Sequence, residues 1–393
     1  MYKLFIIIDL SDNQNIEYYK NTIDDFAKEL NNINLVDVSY ILNKKSNNIK
    51  ITNKSDLKII QPKNYKEFRQ ILKIKNRMYM YGINTGRKYF FINFFLAKEN
   101  IKKFVISNLG YNPENFNYFK KNFIDKSKIF LFIRLKYYFT RLLIILNILP
   151  KIDYFFESSD FIYKSISKGL SNKIKKKFPL FNFSYYQDVV KINSRYFDNI
   201  YYSRYNNAEN YIVFIDGMLF DHKDRIMREG VPSNEDREIY YNNLYKVLKE
   251  YEKIFKRKIV VCLHPKNNFS IRRGDFKDLK CVKYETEKYI SESFLIFFHE
   301  GSSIIQAIVQ NKNIINLHGQ MLGDYINKRC EMYSQLLKLY RIDLSKINIE
   351  KEQIIMKEIS NAKKNYEKYV KENIVNDRSL SGILQVIKYL KLQ

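Results

Sequence analysis

Residues that could carry out acid–base or phosphate chemistry concentrate in one stretch of the chain. All four histidines, His222, His264, His299 and His318, fall between positions 222 and 318. Three of them, His264, His299 and His318, directly follow apolar runs that are typical of buried strands. A lone histidine is most often a packing residue, but three at the same end of one sheet are better explained by a site.

The clearest local motif is His299-Glu300-Gly301-Ser302-Ser303. A glycine followed by two serines at the start of a predicted helix leaves backbone N–H groups free and adds two hydroxyl donors. This combination predicts a phosphate cradle, whereas an ordinary N-cap needs only one of the serines. A zinc-protease motif is excluded because Ser303 replaces the second histidine of H-E-x-x-H, and no Walker A, G-x-G-x-x-G or G-x-S-x-G pattern occurs.

A second motif, His264-Pro265-Lys266, ends a very apolar run and is followed by Arg272 and Arg273. Proline stops the strand and fixes the turn, so the imidazole is expected to point into a ligand-binding cleft. An imidazole among cationic groups can hydrogen-bond or protonate a leaving phosphate. Together with residues 299–303, this motif forms the predicted phosphate-binding group.

Asp216-Gly217 offers a carboxylate at a third strand end. The glycine allows a substrate to approach this carboxylate closely. The alternative is that Asp216 only forms a turn or caps a helix.

The second half of the chain is the predicted scaffold for these motifs. Strands are predicted at 212–215, 259–263, 294–298 and 314–317, with helices at 240–255 and 302–311. Such alternation is typical of a doubly wound α/β domain, whose ligands bind at the carboxyl ends of the strands.

The first half also alternates between the two kinds of element. Strands are predicted at 5–8, 36–42 and 57–60, extended runs at 89–95 and 104–106, and helices at 16–31 and 68–72. Periodicity fades between 171 and 210, which indicates a linker. We therefore predict an N-terminal α/β domain at 1–170, a linker at 171–210, a C-terminal α/β domain at 211–330, and C-terminal helices at 331–393.

Composition limits the class of protein. The 393 residues carry a net charge of +26 with 46% hydrophobic residues, which excludes wholesale disorder. The charge favours phosphates, nucleic acid or an anionic membrane as partners, although the inflated Lys, Asn and Ile usage also indicates codon bias.

Three cysteines without C-x-x-C spacing predict neither a disulfide framework nor a zinc site. The N-terminal apolar run is too short for a signal peptide, so a cytoplasmic protein is expected.

Residues 129–149 are the most unusual stretch, because Arg134, Lys136 and Arg141 are their only charges and lysines precede them. Its longest uncharged run, 142–149, is too short to span a bilayer. One interpretation is a basic, aromatic-rich helix in the membrane interface, which would hold the protein peripherally at the inner face of the cytoplasmic membrane. The other is a buried interdomain helix.

Three motifs resemble those of bacterial sialyltransferases and polysialyltransferases. Ile215-Asp216-Gly217, His264-Pro265 and Ser302-Ser303 occur in the order of that family's acid-acid-Gly triplet, His-Pro pair and Ser pair. The resemblance implies a GT-B-like fold, with two Rossmann-like doubly wound domains facing a cleft. It implies that the domain at 1–170 is on the acceptor side and that the domain at 211–330 binds the nucleotide sugar. It also implies inverting, metal-independent transfer, without a cofactor, of a sialic-acid-like nonulosonic acid from a CMP-activated donor to a surface glycan or glycolipid.

By this resemblance Asp216 is the base that activates the acceptor, while His264 and the Ser pair bind the CMP phosphate. Ile215 departs from the family's first acid, and Asp216 is close to His264 in sequence. A first-domain acid near Asp9 or Asp24 is therefore the alternative base. Two alternative functions stay open: a GT-B transferase with a UDP-hexose donor, and a basic nucleic-acid-binding protein. No recognition motif supports the latter, so nucleic acid is not expected as a partner.

Overall fold

The computed structural model describes residues 2–11, 13–43, 57–82, 87–99, 101–107, 139–140, 142–158, 186–202, 206, 208–221, 223–265 and 275–392. Among these residues the chain forms two compact units. The first unit runs to Asp198 and resumes at Val375, and the second comprises Asn199–Ile374.

The first unit is built on a parallel sheet of seven strands. In chain order these are β1 (Lys3–Ile8), β2 (Ile33–Asp37), β3 (Leu57–Ile60), β4 (Arg77–Tyr81), β5 (Lys102–Ser107), β6 (Ile152–Glu157) and β7 (Tyr186–Lys191). Their order across the sheet is β3-β2-β1-β4-β5-β6-β7. The helices are α1 (Asn13–Glu29), α2 (Ser39–Asn43), α3 (Tyr65–Leu72), α4 (Phe90–Lys98) and α5 (Arg195–Tyr201), which crosses the boundary between the units.

The second unit is built on a parallel sheet of six strands. These are β8 (Tyr211–Ile215), β9 (Lys258–Leu263), β10 (Lys280–Lys283), β11 (Ser293–Phe298), β12 (Asn313–His318) and β13 (Tyr340–Asp343). Their order is β10-β9-β8-β11-β12-β13. The helices are α6 (Lys223–Glu229), α7 (Asn234–Phe255), α8 (Thr286–Ser291), α9 (Ile304–Val309), α10 (Gly323–Leu337), α11 (Glu352–Lys363) and α12 (Tyr366–Asn373).

The last helix, α13 (Gly382–Leu390), returns to the first unit. Asp198 accepts the Gly382 N–H at 2.6 Å, which caps the helix, and the Asn193 side chain donates to the Leu380 carbonyl at 2.6 Å. Ile383 and Leu390 then pack into the core of the first sheet.

Both sheets are buried on two faces, which explains their nearly continuous apolar strands. Five residues of β1 and five of β9 are buried, and the largest fully buried side chains are all Tyr or Phe. Helix α7 shows how a covering helix forms: the Ser233 hydroxyl accepts the Asp236 N–H at 2.9 Å, and the helix ends at Lys256 in the left-handed conformation. Its buried residues recur every three or four positions, as an amphipathic helix requires.

Each sheet has a topological switch point, the place where the chain reverses its direction across the sheet. It lies between β1 and β4 in the first unit and between β8 and β11 in the second. Open α/β sheets bind ligands in the crevice at such a point, outside the carboxyl ends of the strands.

The predicted fold class, two doubly wound α/β domains with helices at the C-terminus, is confirmed. Two local predictions are wrong. The strand predicted at 36–42 ends at Asp37, whose carboxylate accepts the Ser39 N–H at 3.0 Å and turns the chain into α2. The extended run predicted at 89–95 is helical: Tyr89 ends a short 3-10 helix (Arg87–Tyr89), and the other residues lie in α4, where apolar residues on all sides conceal the helical period.

The predicted domain boundaries also differ from the observed units. The predicted linker at 171–210 contains β7 and α5, which complete the first unit, so the predicted end of that domain at 170 is too early. The predicted helical region at 331–393 is divided: β13, α11 and α12 belong to the second unit, and α13 belongs to the first. Within the described ranges, no helix is long and apolar enough to cross a membrane.

Candidate functional site

The carboxyl edge of the second sheet brings three of the predicted residues side by side. His264, Asp216 and His299 are the first residues after β9, β8 and β11, which are neighbours in that order. The register pairs Ile215 with both Cys262 and Phe298, so β8 and β11 end at one level and β9 ends one residue beyond it. Neighbouring strands are about 4.8 Å apart, so the loops after β9 and β11 start roughly 10 Å apart, with Asp216 between them.

Asp216 shapes the loop that follows β8. Its carboxylate accepts the Met218 N–H at 3.0 Å, and its own N–H donates to the Cys262 carbonyl at 3.0 Å. The residue is 4% exposed. Met218 has a φ of 55°, the left-handed conformation, which bulky residues adopt only where the surroundings enforce it. The turn-forming role expected as the alternative for Asp216 is therefore present.

His299 does not face a ligand, which corrects the prediction that its side chain binds phosphate. The side chain is fully buried, with Nδ1 2.9 Å from the Leu317 carbonyl and Nε2 2.8 Å from the Tyr240 hydroxyl. A carbonyl can only accept, so Nδ1 carries the proton and Nε2 accepts from Tyr240. Burial lowers the pKa of His299 to about 3, so the imidazole is neutral. It fastens the end of β11 to β12 and α7.

The Glu300 side chain is also buried and paired within the protein, so the prediction that it binds phosphate is corrected. It is 6% exposed and forms an ion pair of 2.8 Å with Arg329 of α10. Arg329 also donates to the Tyr325 hydroxyl, and the Tyr333 hydroxyl bonds the Gly301 backbone. Two side chains of α10, Arg329 and Tyr333, thus hold the loop after β11 in place, and Tyr325 supports Arg329.

Gly301, Ser302 and Ser303 form the open part of that loop. Gly301 has a φ of 128°, and a Cβ built on it would meet no atom within 4 Å, so the space above it is open. No hydrogen bond from either serine hydroxyl occurs within the described part of the chain. The helix α9 begins at Ile304 and has only six residues, so its dipole is smaller than that of the helix predicted at 302–311.

His264 is half-buried at the end of β9, and Pro265 is exposed. The Pro265 carbonyl accepts a bond from the Tyr284 hydroxyl at 3.4 Å, which ties this turn to the strand next to it. Lys266, Arg272, Arg273 and His222 lie outside the described residues.

His318 ends β12, one strand beyond the loop that contains the Ser pair. Burial and the nearby Arg341 guanidinium lower its pKa. Of the three histidines predicted at strand ends, His264 and His318 are thus partly open to solvent, while His299 is internal.

A buried arginine that the sequence did not indicate links two loops of this edge. Arg225 donates to the Leu219 carbonyl after β8 and to the Met321 carbonyl after β12, both at 3.2 Å. Its neighbour Glu229 bonds the first turn of α10, where Gly323 has a φ of 75° and a Cβ would lie 2.4 Å from the Glu229 carboxylate. Only the RxxxE spacing of Arg225 and Glu229 was visible in the sequence.

In the first unit, Asp9 directly follows β1 at the switch point, whereas Asp24 lies inside α1, away from the strand ends. Of the two acids considered as an alternative base, only Asp9 is therefore at a ligand-binding edge. Its carboxylate is fully buried and bonds Ser11, Lys88 and Tyr89. Among the described residues, no three His, Cys, Asp or Glu side chains are grouped to hold a metal ion.

Comparisons with known proteins concern the fold. No protein-family model matches the chain, and no curated protein matches it in sequence. A variant of the wall teichoic acid polymerase TagF has a TM-score of 0.51 and 10% identity, covering 99% of this chain and 90% of that chain. The S. aureus MnaA–UDP co-structure has a TM-score of 0.49 and 12% identity, covering 100% and 96% of the two chains. A glycosyltransferase from Rickettsia africae ESF-5 has a TM-score of 0.49 and 14% identity, covering 99% and 98%. With the two doubly wound sheets, the TagF likeness shows a two-domain α/β GT-B fold, and at this identity it shows the fold alone.

Proposed function

We propose that this protein is a glycosyltransferase that transfers a sialic-acid-like nonulosonic acid from a CMP-activated donor to a bacterial surface glycan, as in capsule or lipopolysaccharide synthesis. One observation supports the proposal above all others. Around the switch point of the second sheet, Asp216, His264 and the Ser302–Ser303 pair occupy the loops of three adjacent strands.

In the proposed reaction the acceptor hydroxyl oxygen bonds the anomeric carbon of the sugar as the bond between that carbon and the CMP phosphate breaks. The phosphate leaves with the electron pair, and the hydroxyl proton goes to the base. The half-buried His264 imidazole and the two serine hydroxyls would donate hydrogen bonds to that developing charge. The strand spacing of roughly 10 Å between their loops leaves room for one phosphate between the two sets of side chains. The neutral His299 and the Glu300–Arg329 pair would hold the loop without contacting the donor.

An inverting reaction also needs a base for the acceptor hydroxyl, and Asp216 has this role in the proposal. The substitution Asp216→Asn removes the base but keeps the turn, because an amide oxygen can still accept the Met218 N–H. We expect turnover to fall by about 10²–10³ with CMP affinity unchanged. If Asp216→Asn keeps its turnover, Asp216 only forms the turn and another residue is the base.

The donor nucleotide is tested with a thermal-shift series of CMP, CDP, UMP, UDP and GDP. A ligand that binds only the folded protein stabilises it by about 2.7 kcal/mol at a hundredfold excess over Kd. We expect CMP to give the largest shift and the substitution of both serines by alanine to reduce it. A larger shift with UDP would favour the alternative of a UDP-hexose donor.

A further inference from the structure

A second set of charged and aromatic groups lies at the switch point of the first sheet, in the unit without the Ser pair. The segment after β4, across the switch point from β1, supplies Lys88 and Tyr89. The Lys88 ammonium lies 2.6 Å from the Asp9 carboxylate, and the Tyr89 hydroxyl donates to the same oxygen at 2.9 Å. The two loops that border the crevice are therefore joined through one carboxylate.

Asp9 positions the ammonium group and does not itself meet a ligand. Its side chain is fully buried, while 43% of the Lys88 side chain is exposed. Burial raises the pKa of Asp9, but hydrogen bonds from Lys88 and Ser11 outweigh it and hold the pKa below its ordinary value. An ammonium has three N–H donors, and Asp9 accepts from one of them. The other two can donate to an oxygen of a ligand that approaches from the solvent.

The surrounding backbone is fixed by a second buried carboxylate. Asp37, at the end of β2, accepts the Leu10 N–H after β1 at 3.1 Å and the Gln61 side chain after β3 at 2.7 Å. Three neighbouring loops are thereby cross-linked. A site that is held rigid before binding loses less entropy when a ligand arrives.

Two phenylalanine residues with exposed rings follow Lys88 in the chain, two and three positions later. Phe90 and Phe91, the first residues of α4, are 40% and 58% exposed. Their rings meet edge to face at 5.6 Å, and Phe91 also contacts Tyr65 at 5.7 Å, so the rings are supported rather than loose. A charged donor and exposed aromatic side chains, close together in the chain after a strand end, are the kinds of group that line small-molecule sites.

We infer that Lys88, Phe90 and Phe91 form a binding site for a sugar with an acidic substituent, its ring against the phenylalanines and its anionic oxygens on the ammonium. If the protein is the proposed transferase, this sugar is the acceptor, and that identification rests on the proposed function. The binding site itself does not rest on it, since Lys88, Phe90 and Phe91 belong to the first unit. A phosphate and a carboxylate would satisfy Lys88 alike, and the experiment below separates them.

The test uses the full chain and three probes, glucose 1-phosphate, glucuronic acid and glucose, with binding followed by ligand-observed NMR. We expect at least one acidic sugar to bind about tenfold more tightly than glucose, because a charge-assisted hydrogen bond is lost with the neutral sugar. The better acidic probe identifies phosphate or carboxylate. Lys88→Gln should abolish the preference, Lys88→Arg should retain it, and Phe91→Ala should weaken all three probes alike.

Lys98→Gln is the matched control, because Lys98 is an exposed lysine beside Phe94 on the same helix. It should leave all three affinities unchanged. Equal binding of glucose and the acidic sugars, an unchanged preference in Lys88→Gln, or no binding of any probe would overturn the inference. CMP binding is measured in the same samples: CMP without sugar binding contradicts this site alone, and sugar without nucleotide binding contradicts the proposed transferase alone.

Discussion

His264 and the Ser302–Ser303 pair are expected to act on one phosphate, because their loops border the same switch point. The loss of one preorganised donor to a developing charge typically lowers the rate by about 10²–10³. We therefore expect His264→Ala to reduce turnover by that factor with the fold intact, and the double serine variant to weaken CMP binding as well. Steady-state kinetics and CMP titration measure both.

Because these groups would share one phosphate, the triple variant should lose less than the sum of the separate losses. Tyr284→Phe is a suitable control, since it removes only a bond to the Pro265 carbonyl on the same turn. Near-wild-type transfer by His264→Ala with every CMP-linked donor would contradict the site assignment.

His299 should make stability depend on pH. Its pKa is about 3 in the folded protein and about 6.5 in the unfolded chain, so the unfolded state binds the extra proton as pH falls below 6.5. The stability from the neutral imidazole is thus present above pH 6.5 and is lost toward pH 3. Between pH 7 and 5 the loss is about 2 kcal/mol.

The measurement is urea unfolding of wild type and His299→Gln at both pH values. Glutamine can accept and donate as the imidazole does, so the variant should fold but lose less stability on acidification. An identical loss in both proteins would show that other groups cause it.

The chemistry of individual residues was only partly visible in the sequence. The placement of His264 and Asp216 was predictable, because each follows a strand with a clear apolar run. The burial of His299 was not, since its partners Tyr240 and Leu317 are 59 and 18 residues away. Likewise, nothing local indicated that Glu300 pairs with Arg329.

At the scale of the elements, long apolar strands and α7 were predicted well, and short elements were not. β10 and β13 have four residues each, with the sequences KCVK and YRID, so neither length nor alternation separates them from loops. The docking of α13 in the first unit depends on Asn193 and Asp198, which are remote in sequence.

The segment at 129–149 is described only in part, and its described end exposes apolar side chains. Phe139, Leu142, Ile145 and Leu146 are between 41% and 60% exposed. Ile144 and Leu149 of the same part are buried, so this part packs against the protein on one side and presents apolar side chains on the other, as the membrane-interface interpretation requires. Arg134, Lys136 and Arg141 lie outside the described residues.

We expect Leu142→Ser with Leu146→Ser to reduce binding to anionic vesicles in a co-sedimentation assay. Arg134→Glu with Lys136→Glu should do the same, since each basic residue near such a surface contributes roughly 1 kcal/mol. The control is Met227→Ser with Val231→Ser, which changes two exposed apolar residues of the second unit. Equal vesicle binding by all four proteins would count against membrane attachment.

At the scale of the whole molecule, the alternation of strands and helices was enough to predict two doubly wound units, because parallel strands need crossover helices. The boundary between them was not predictable from composition. The chain crosses between units near Asp198 and again near Val375, and neither place is rich in Gly or Pro. Polar residues that bind across long sequence separations decide where each unit ends.

The proposed transferase should not depend on a divalent ion. A metal that bridges phosphates is usually held by paired carboxylates, and the loops at the second switch point contain no Asp-x-Asp. There Asp216 bonds Met218, and Glu300 is neutralised by Arg329, while the serine hydroxyls and His264 are donors suited to a phosphate.

Initial rates with and without EDTA, on protein dialysed against chelator, measure the dependence on a divalent ion directly. We expect the two rates to agree within about twofold, a range well below the several kcal/mol that a catalytic metal contributes. Activity that disappears in EDTA and returns only with Mn²⁺ or Mg²⁺ would contradict metal independence and would indicate that a carboxylate of this edge, Asp216 first, is released from its internal bond to bind the ion.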